Sequence, residues 1–183
     1  MIECKRKFGK RIDIPEIQHK ELVDRAFGYL KFSHSPSCSV IFKERRASTS
    51  ETPDVIGFYG GFSYLIECKA SRTDFLADRK KFFRQRPEDG MGYMRYYMAP
   101  VRLLDPDEIP NGWGLLDVYE KTGNRNRIVK IAKESERFDN RDQLAEISYL
   151  VSAIRRLDIS MAVYVASESS VNSVSSVSKK ADN

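Results

Sequence analysis

The chain has 183 residues, of which 41% are hydrophobic and 31% charged, and a net charge of +5. That length supports one domain with a true hydrophobic core plus extensions, and the balance is that of an ordinary soluble protein. The three cysteines, Cys4, Cys38 and Cys68, are odd in number and widely spaced, which argues against a disulfide framework and a cysteine-rich zinc site.

In chain order, residues 1–13 form a basic arm, and residues 14–160 are expected to make a single domain. Ile17 to Phe32 reads as a helix, with Leu22, Ala26 and Tyr29 on one stripe and Leu30 beside it. The sequence His34-Ser35-Pro36-Ser37 breaks it, and Ser39 to Glu44 makes a short first strand. The polar loop RRASTSETP follows, read either as a surface loop or as a segment that touches substrate, with Arg45 and Arg46 as the contacting candidates. Two strands joined by Gly60-Gly61 come next, a pair suited to the positive φ values of a two-residue hairpin turn.

After Lys69 the period changes. Ser71 or Thr73 caps a helix expected to run to about Arg84, with Phe75, Leu76, Phe82 and Phe83 toward the core and Asp78, Arg79, Lys80 and Arg86 largely outward. RPEDGMG is turn-like, and Tyr93 to Ala99 is a strand rich in aromatic residues and methionine. Gly114 to Tyr119 reads as a further core strand, and Lys121 to Asn126 as a turn leading to Ile128–Ile131. Tyr96, Tyr97 and Trp113 are assigned to packing rather than to base stacking. A helix from about Arg141 to Leu157, with Asn140 and Gln143 as a capping box, carries the apolar stripe Leu144, Ile147, Val151 and Ile154, which should pack on the sheet or on a partner subunit. Residues 161–183 form a Ser-rich tail, expected to be disordered unless it docks.

The hairpin carries the chemistry. If Tyr59 pairs with Phe62 across the turn, the count down the ladder places Asp54 opposite Glu67, with Cβ atoms about 5 Å apart. Lys69, two positions on, shares their face, while Cys68 points into the core. Two carboxylates and the Cys68 backbone carbonyl are hard oxygen donors suited to Mg²⁺ or Mn²⁺ and unsuited to zinc. Lys69 has three candidate roles: orienting the attacking water, helping to deprotonate it, or neutralising charge on a phosphate. Such a set serves metal-assisted hydrolysis of a phosphodiester.

Pro53-Asp54 with Glu67-Cys68-Lys69 resembles the PD-(D/E)xK nuclease superfamily. ECKASRTDFLADRKK followed by RYYMAP is similar to MmcB-like DNA repair proteins, a branch also found among phage-borne proteins. The resemblance spans about residues 14–120 in the order of elements and is specific between Asp54 and Pro100. It implies an α/β restriction-endonuclease-like core, in which helices flank a mixed sheet in α-β-β-β-α-β order, and DNA cleavage with a divalent metal. It makes Asp74, Asp78 and Lys80 supporting or substrate-contacting candidates, with Arg72 beside them, and adds Glu21, less so Glu16, as an acid from the first helix.

Positive charge concentrates in residues 1–50 and 71–100, around the candidate site, consistent with attraction of a polyanion. His19 and His34 fit no metal spacing or nucleophilic triad and read as surface residues. There is no nucleophile elbow and no Gly-rich loop with Lys, so helicase or ATPase chemistry is not expected. No apolar stretch approaches membrane length and the basic N-terminus lacks a signal-like apolar run, so a cytoplasmic location is expected. The expected activity is a structure-dependent DNase of repair, recombination or phage DNA processing. The alternatives are a nucleic-acid-binding protein that does not cut and an interaction protein acting through the C-terminal helix. Both a monomer, suited to nicking or flap cleavage, and a homodimer, suited to paired cuts, are compatible with the pattern.

Overall fold

The computed structural model describes residues 16–33, 36–44, 51–119 and 128–157. The basic arm, Arg45 and Arg46, the turn at 121–126 and the Ser-rich tail lie outside them. The chain divides into two compact units, with described residues up to 142 in the first and 143–157 in the second.

The first unit is a mixed α/β structure. Helix α1 (His19–Phe32) precedes strands β1 (Val40–Lys43), β2 (Val55–Tyr59) and β3 (Phe62–Cys68). The short helices α2 (Arg72–Asp78) and α3 (Phe82–Gln85) lead to β4 (Met94–Pro100), followed by β5 (Gly114–Val118) and β6 (Val129–Lys133). The six strands lie in sequence order in one sheet. The β1–β2, β2–β3 and β5–β6 pairs are antiparallel, whereas β3–β4 and β4–β5 are parallel.

Period-2 alternation sorts the strand residues onto two covered faces. Val55, Ile66, Cys68, Tyr96 and Met98 join Leu22, Val23, Ala26 and Leu30 of α1 in one core cluster. On the other face Tyr97 stacks on Trp113 at 4.6 Å and meets Phe75 of α2 edge-on at 5.1 Å. Tyr96, Tyr97 and Trp113 are buried, as their assignment to packing requires. The turn residues Gly60 and Gly61 have φ values of 56° and 86°, a conformation costly for side chains with a Cβ. The pairing then runs Tyr59 with Phe62 to Val55 with Ile66, the expected register.

The helix expected over 71–84 is instead two pieces, broken at Arg79–Lys81. In an unbroken helix Arg84 would sit about 120° around the axis from Asp78. The break lets both turn inward, and Arg84 Nε reaches Asp78 Oδ2 at 2.9 Å. Asp78, expected outward, is therefore 1% exposed. Leu76 and Phe82, expected in the core, are exposed because each short helix turns only Phe75 and Asp78, or Phe83 and Arg84, inward.

The second unit's described part is helix α4 (Gln143–Leu157). Its predicted stripe Leu144, Ile147, Val151 and Ile154 is exposed, and Ala145, Tyr149 and Ala153 form the buried side instead. No helix among the described residues is long and apolar enough to cross a membrane.

Candidate active site

The β2–β3 register ends at the pair Val55 and Ile66, and Asp54 is the residue just before β2. The Asp54 carbonyl accepts from the Glu44 amide at 2.8 Å, so its peptide groups face β1, and by alternation those of Pro53 and Val55 face β3. Pro53 then stands across from Cys68 and has no N–H to give. The Cys68 amide donates to Asp54 Oδ2 at 2.7 Å, and a proline in the facing position offers the Cys68 carbonyl no N–H. The Cys68 amide thus holds the Asp54 carboxylate at the end of the hairpin. Asp54 Oδ1 lies 3.5 Å from His19 Nε2, which is also 3.6 Å from Glu44 Oε1. His19, read from sequence as a surface residue, is a neighbour of the site.

Glu67 and Lys69 sit on one face and are almost fully buried. Lys69 Nζ is 3.2 Å from Glu67 Oε2 and 3.4 Å from Asp78 Oδ1. Burial alone would lower the Lys69 pKa, but Glu67, Asp78 and Asp54 outweigh it and raise the pKa above its ordinary value. The surrounding carboxylates thus favour the charged amine.

Behind Lys69 lies a buried ion cluster that sequence reasoning missed. Arg84 places its guanidinium among three carboxylates: Nε at 2.9 Å from Asp78, Nη2 at 2.8 Å from Glu67, and Nη1 on Glu51. Its flat faces lie over the Trp113 and Phe83 rings at 4.6 and 4.7 Å. Glu51, from the loop read as polar and surface-borne, is 2% exposed and accepts the Met91 amide at 2.7 Å through its other oxygen. The Tyr97 hydroxyl donates to Asp78 at 2.8 Å, and Lys81 pairs with Asp78 at 2.7 Å. Burial works against ionised Asp78, yet Arg84, Lys69 and Lys81 hold its carboxyl well below the usual range. Glu51 goes the other way, because burial outweighs its bonds to Arg84 and Met91.

The remaining candidates lie further out. Asp74 is exposed on the first turn of α2, its amide capped by Ser71 Oγ at 3.2 Å, and its charge still reaches Lys69. Arg72 is exposed and forms a two-pronged pair with Glu108 at 2.6 and 2.5 Å. Lys80 is exposed, and Glu21 pairs with Arg25 along α1 at 3.5 Å.

Asp54 is the carboxylate left in electrostatic excess. Burial first, and then repulsion from Glu67, raise its pKa from 3.8 to about 6, against the pull of the Cys68 amide, Lys69 and His19. A raised carboxyl pKa means that ionised Asp54 opposes folding. The penalty is complete above pH 6 and disappears as the pH falls toward 3.8. Asp54→Asn, which can still accept the Cys68 N–H, is therefore expected to stabilise the protein by on the order of 2–3 kcal/mol at pH 7.5. Below about pH 4 it should change little. Urea titrations at the two pH values measure this, and equal stability at pH 7.5 would contradict the electrostatics.

Asp54, Glu67 and the Cys68 carbonyl are oxygen donors of the kind a hard divalent cation takes, and both Glu67 oxygens already face Lys69 and Arg84. Among the described residues no three His, Cys, Asp or Glu side chains form a group that could hold a metal ion. Compared with known proteins, the chain matches no family model, no curated protein and no solved structure.

Proposed function

We propose that this protein is a Mg²⁺- or Mn²⁺-dependent deoxyribonuclease of the PD-(D/E)xK type, with a restriction-endonuclease-like core and a likeness to the MmcB-like branch. The observation that carries the reading is the hairpin end, where the Cys68 amide donates to Asp54 and the flanking Glu67 and Lys69 pair with each other. Asp54, Glu67 and the Cys68 carbonyl would hold the cation. When bound, the metal supplies Lewis acidity toward a phosphate oxygen and lowers the pKa of a water.

The chain's own part is positional and electrostatic. Lys69 presents a protonated amine to charge developing on the phosphate, and Glu67 and Asp78 on either side fix its direction. Arg84 locks both carboxylates from behind, so neither swings when substrate arrives. Substrate is recognised through phosphates and strand shape rather than base sequence, which suits repair, recombination or phage DNA processing.

A second reading is a nucleic-acid-binding protein that does not cut. It draws on Glu67, whose two oxygens already face Lys69 and Arg84. Calorimetric titration with Mn²⁺ separates the two. The nuclease reading expects binding that weakens at least tenfold in Asp54→Asn, while DNA retention in chelator is unchanged. No Mn²⁺ uptake with or without DNA would leave the binding protein as the better account.

A further inference from the structure

A cavity of about 420 Å³ opens at the far end of β3 from Lys69, on the α1 face of the sheet. That volume falls within the roughly 300–1,000 Å³ of small-ligand sites. Its walls include the rings of Tyr29, Phe62, Tyr64 and Tyr93, with Glu134 and Arg137 both exposed beside them. Phe62 is 45% exposed, and its ring lies 4.8 Å from that of Tyr93 at 36°. Glu134 accepts from the Tyr96 hydroxyl at 3.3 Å. Burial and then the Glu134 charge push the Tyr29 hydroxyl up, so the carboxylate stands near both tyrosines.

One exposed ring among half-buried tyrosines, one acceptor-only carboxylate and one guanidinium suit a ligand with a flat π-face, adjacent N–H donors and an anionic group. An organic cation would satisfy the rings and Glu134 but be repelled by Arg137. A nucleotide satisfies all three, since rings stack on any base and Arg holds phosphate. Among bases, guanine offers two neighbouring N–H donors to a carboxylate, whereas thymine offers one N–H between two carbonyls. We propose that this cavity binds a single guanine nucleotide unit, either a free nucleotide or an unpaired guanine in a strand. The site is separate from the carboxylate–lysine corner and independent of cleavage.

Calorimetry in chelator tests it, using dGMP, deoxyguanosine, TMP, tetramethylammonium and a thymine hexamer carrying one guanine. Wild type is expected to bind dGMP at least tenfold more tightly than TMP. Phe62→Ala should weaken dGMP about tenfold through lost stacking. Glu134→Gln should erase the guanine preference, and Arg137→Ala should reduce dGMP to the level of deoxyguanosine. Tighter binding of dGMP than of the hexamer assigns the site to free nucleotide, and the reverse order to a strand. All three positions are exposed, and circular dichroism checks that the variants fold. The proposal is overturned if neither dGMP nor the hexamer binds at millimolar concentration, if tetramethylammonium binds in their place, or if dGMP binds all variants equally. With metal absent, none of these outcomes bears on hydrolysis.

Discussion

Arg84→Leu is expected to leave the protein largely unfolded at pH 7.5. The substitution removes the cation shared by Glu51, Glu67 and Asp78, all nearly inaccessible to solvent. Removing one partner of a buried ion pair costs about 3–5 kcal/mol, and whole domains are stable by only about 5–15 kcal/mol. Here three carboxylates lose a partner at once, although Lys69 and Lys81 still neutralise part of the charge. The pH dependence distinguishes this cause from simple loss of packing. Carboxylates stranded without Arg84 have raised pKa values, so protonating them relieves the strain and the variant should recover relative to wild type between pH 7.5 and 5. Thermal melts followed by circular dichroism at the two pH values give the answer. A variant that melts like wild type at pH 7.5 would mean that the cluster does not hold the fold.

Lys69→Met should reduce DNA cleavage by at least about a thousandfold, in the range associated with loss of a preorganised charge stabiliser. It also removes a cation from between Glu67 and Asp78, so a stability loss of about 2–3 kcal/mol should accompany it, with Arg84 still in place. Activity must therefore be read at a temperature where the variant is folded. Lys69→Arg separates the two effects. It keeps the positive charge and much of the stability, but a planar fork cannot put a point charge where the ammonium stood. Stability should return while cleavage does not. If the arginine variant cuts DNA at the wild-type rate, Lys69 contributes only net charge and the positional account fails.

How much of this was legible in the sequence depended on whether a residue's role was local. The hairpin was readable because Gly60-Gly61 fixes the turn, and the turn fixes every pair below it down to Val55 and Ile66. Helix α1 and the aromatic core strands followed from periodicity alone. Glu51, Arg84 and His19 were not readable, since each meets its partners through contacts remote in sequence. Arg84 carried no local signal beyond its place among Phe82, Phe83 and Gln85, and charged residues are almost always exposed unless paired. The same prior hid Asp78. It was assigned to the solvent side of a continuous helix, and the break at Arg79–Lys81 that turns it inward has no Gly or Pro to announce it. In α4 the stripe expected to pack on the sheet or on a partner subunit is exposed, and Ala145, Tyr149 and Ala153 are buried.

Cleavage of end-labelled single-stranded, duplex, flapped and branched DNA in Mg²⁺ or Mn²⁺, run beside Asp54→Asn and Lys69→Met, tests the central claim most directly. The account predicts metal-dependent products from at least one of these substrates with wild type, and none above background with either folded variant. Wild-type protein that retains DNA but yields no product on any substrate, or variants that cut as well as wild type, would contradict it.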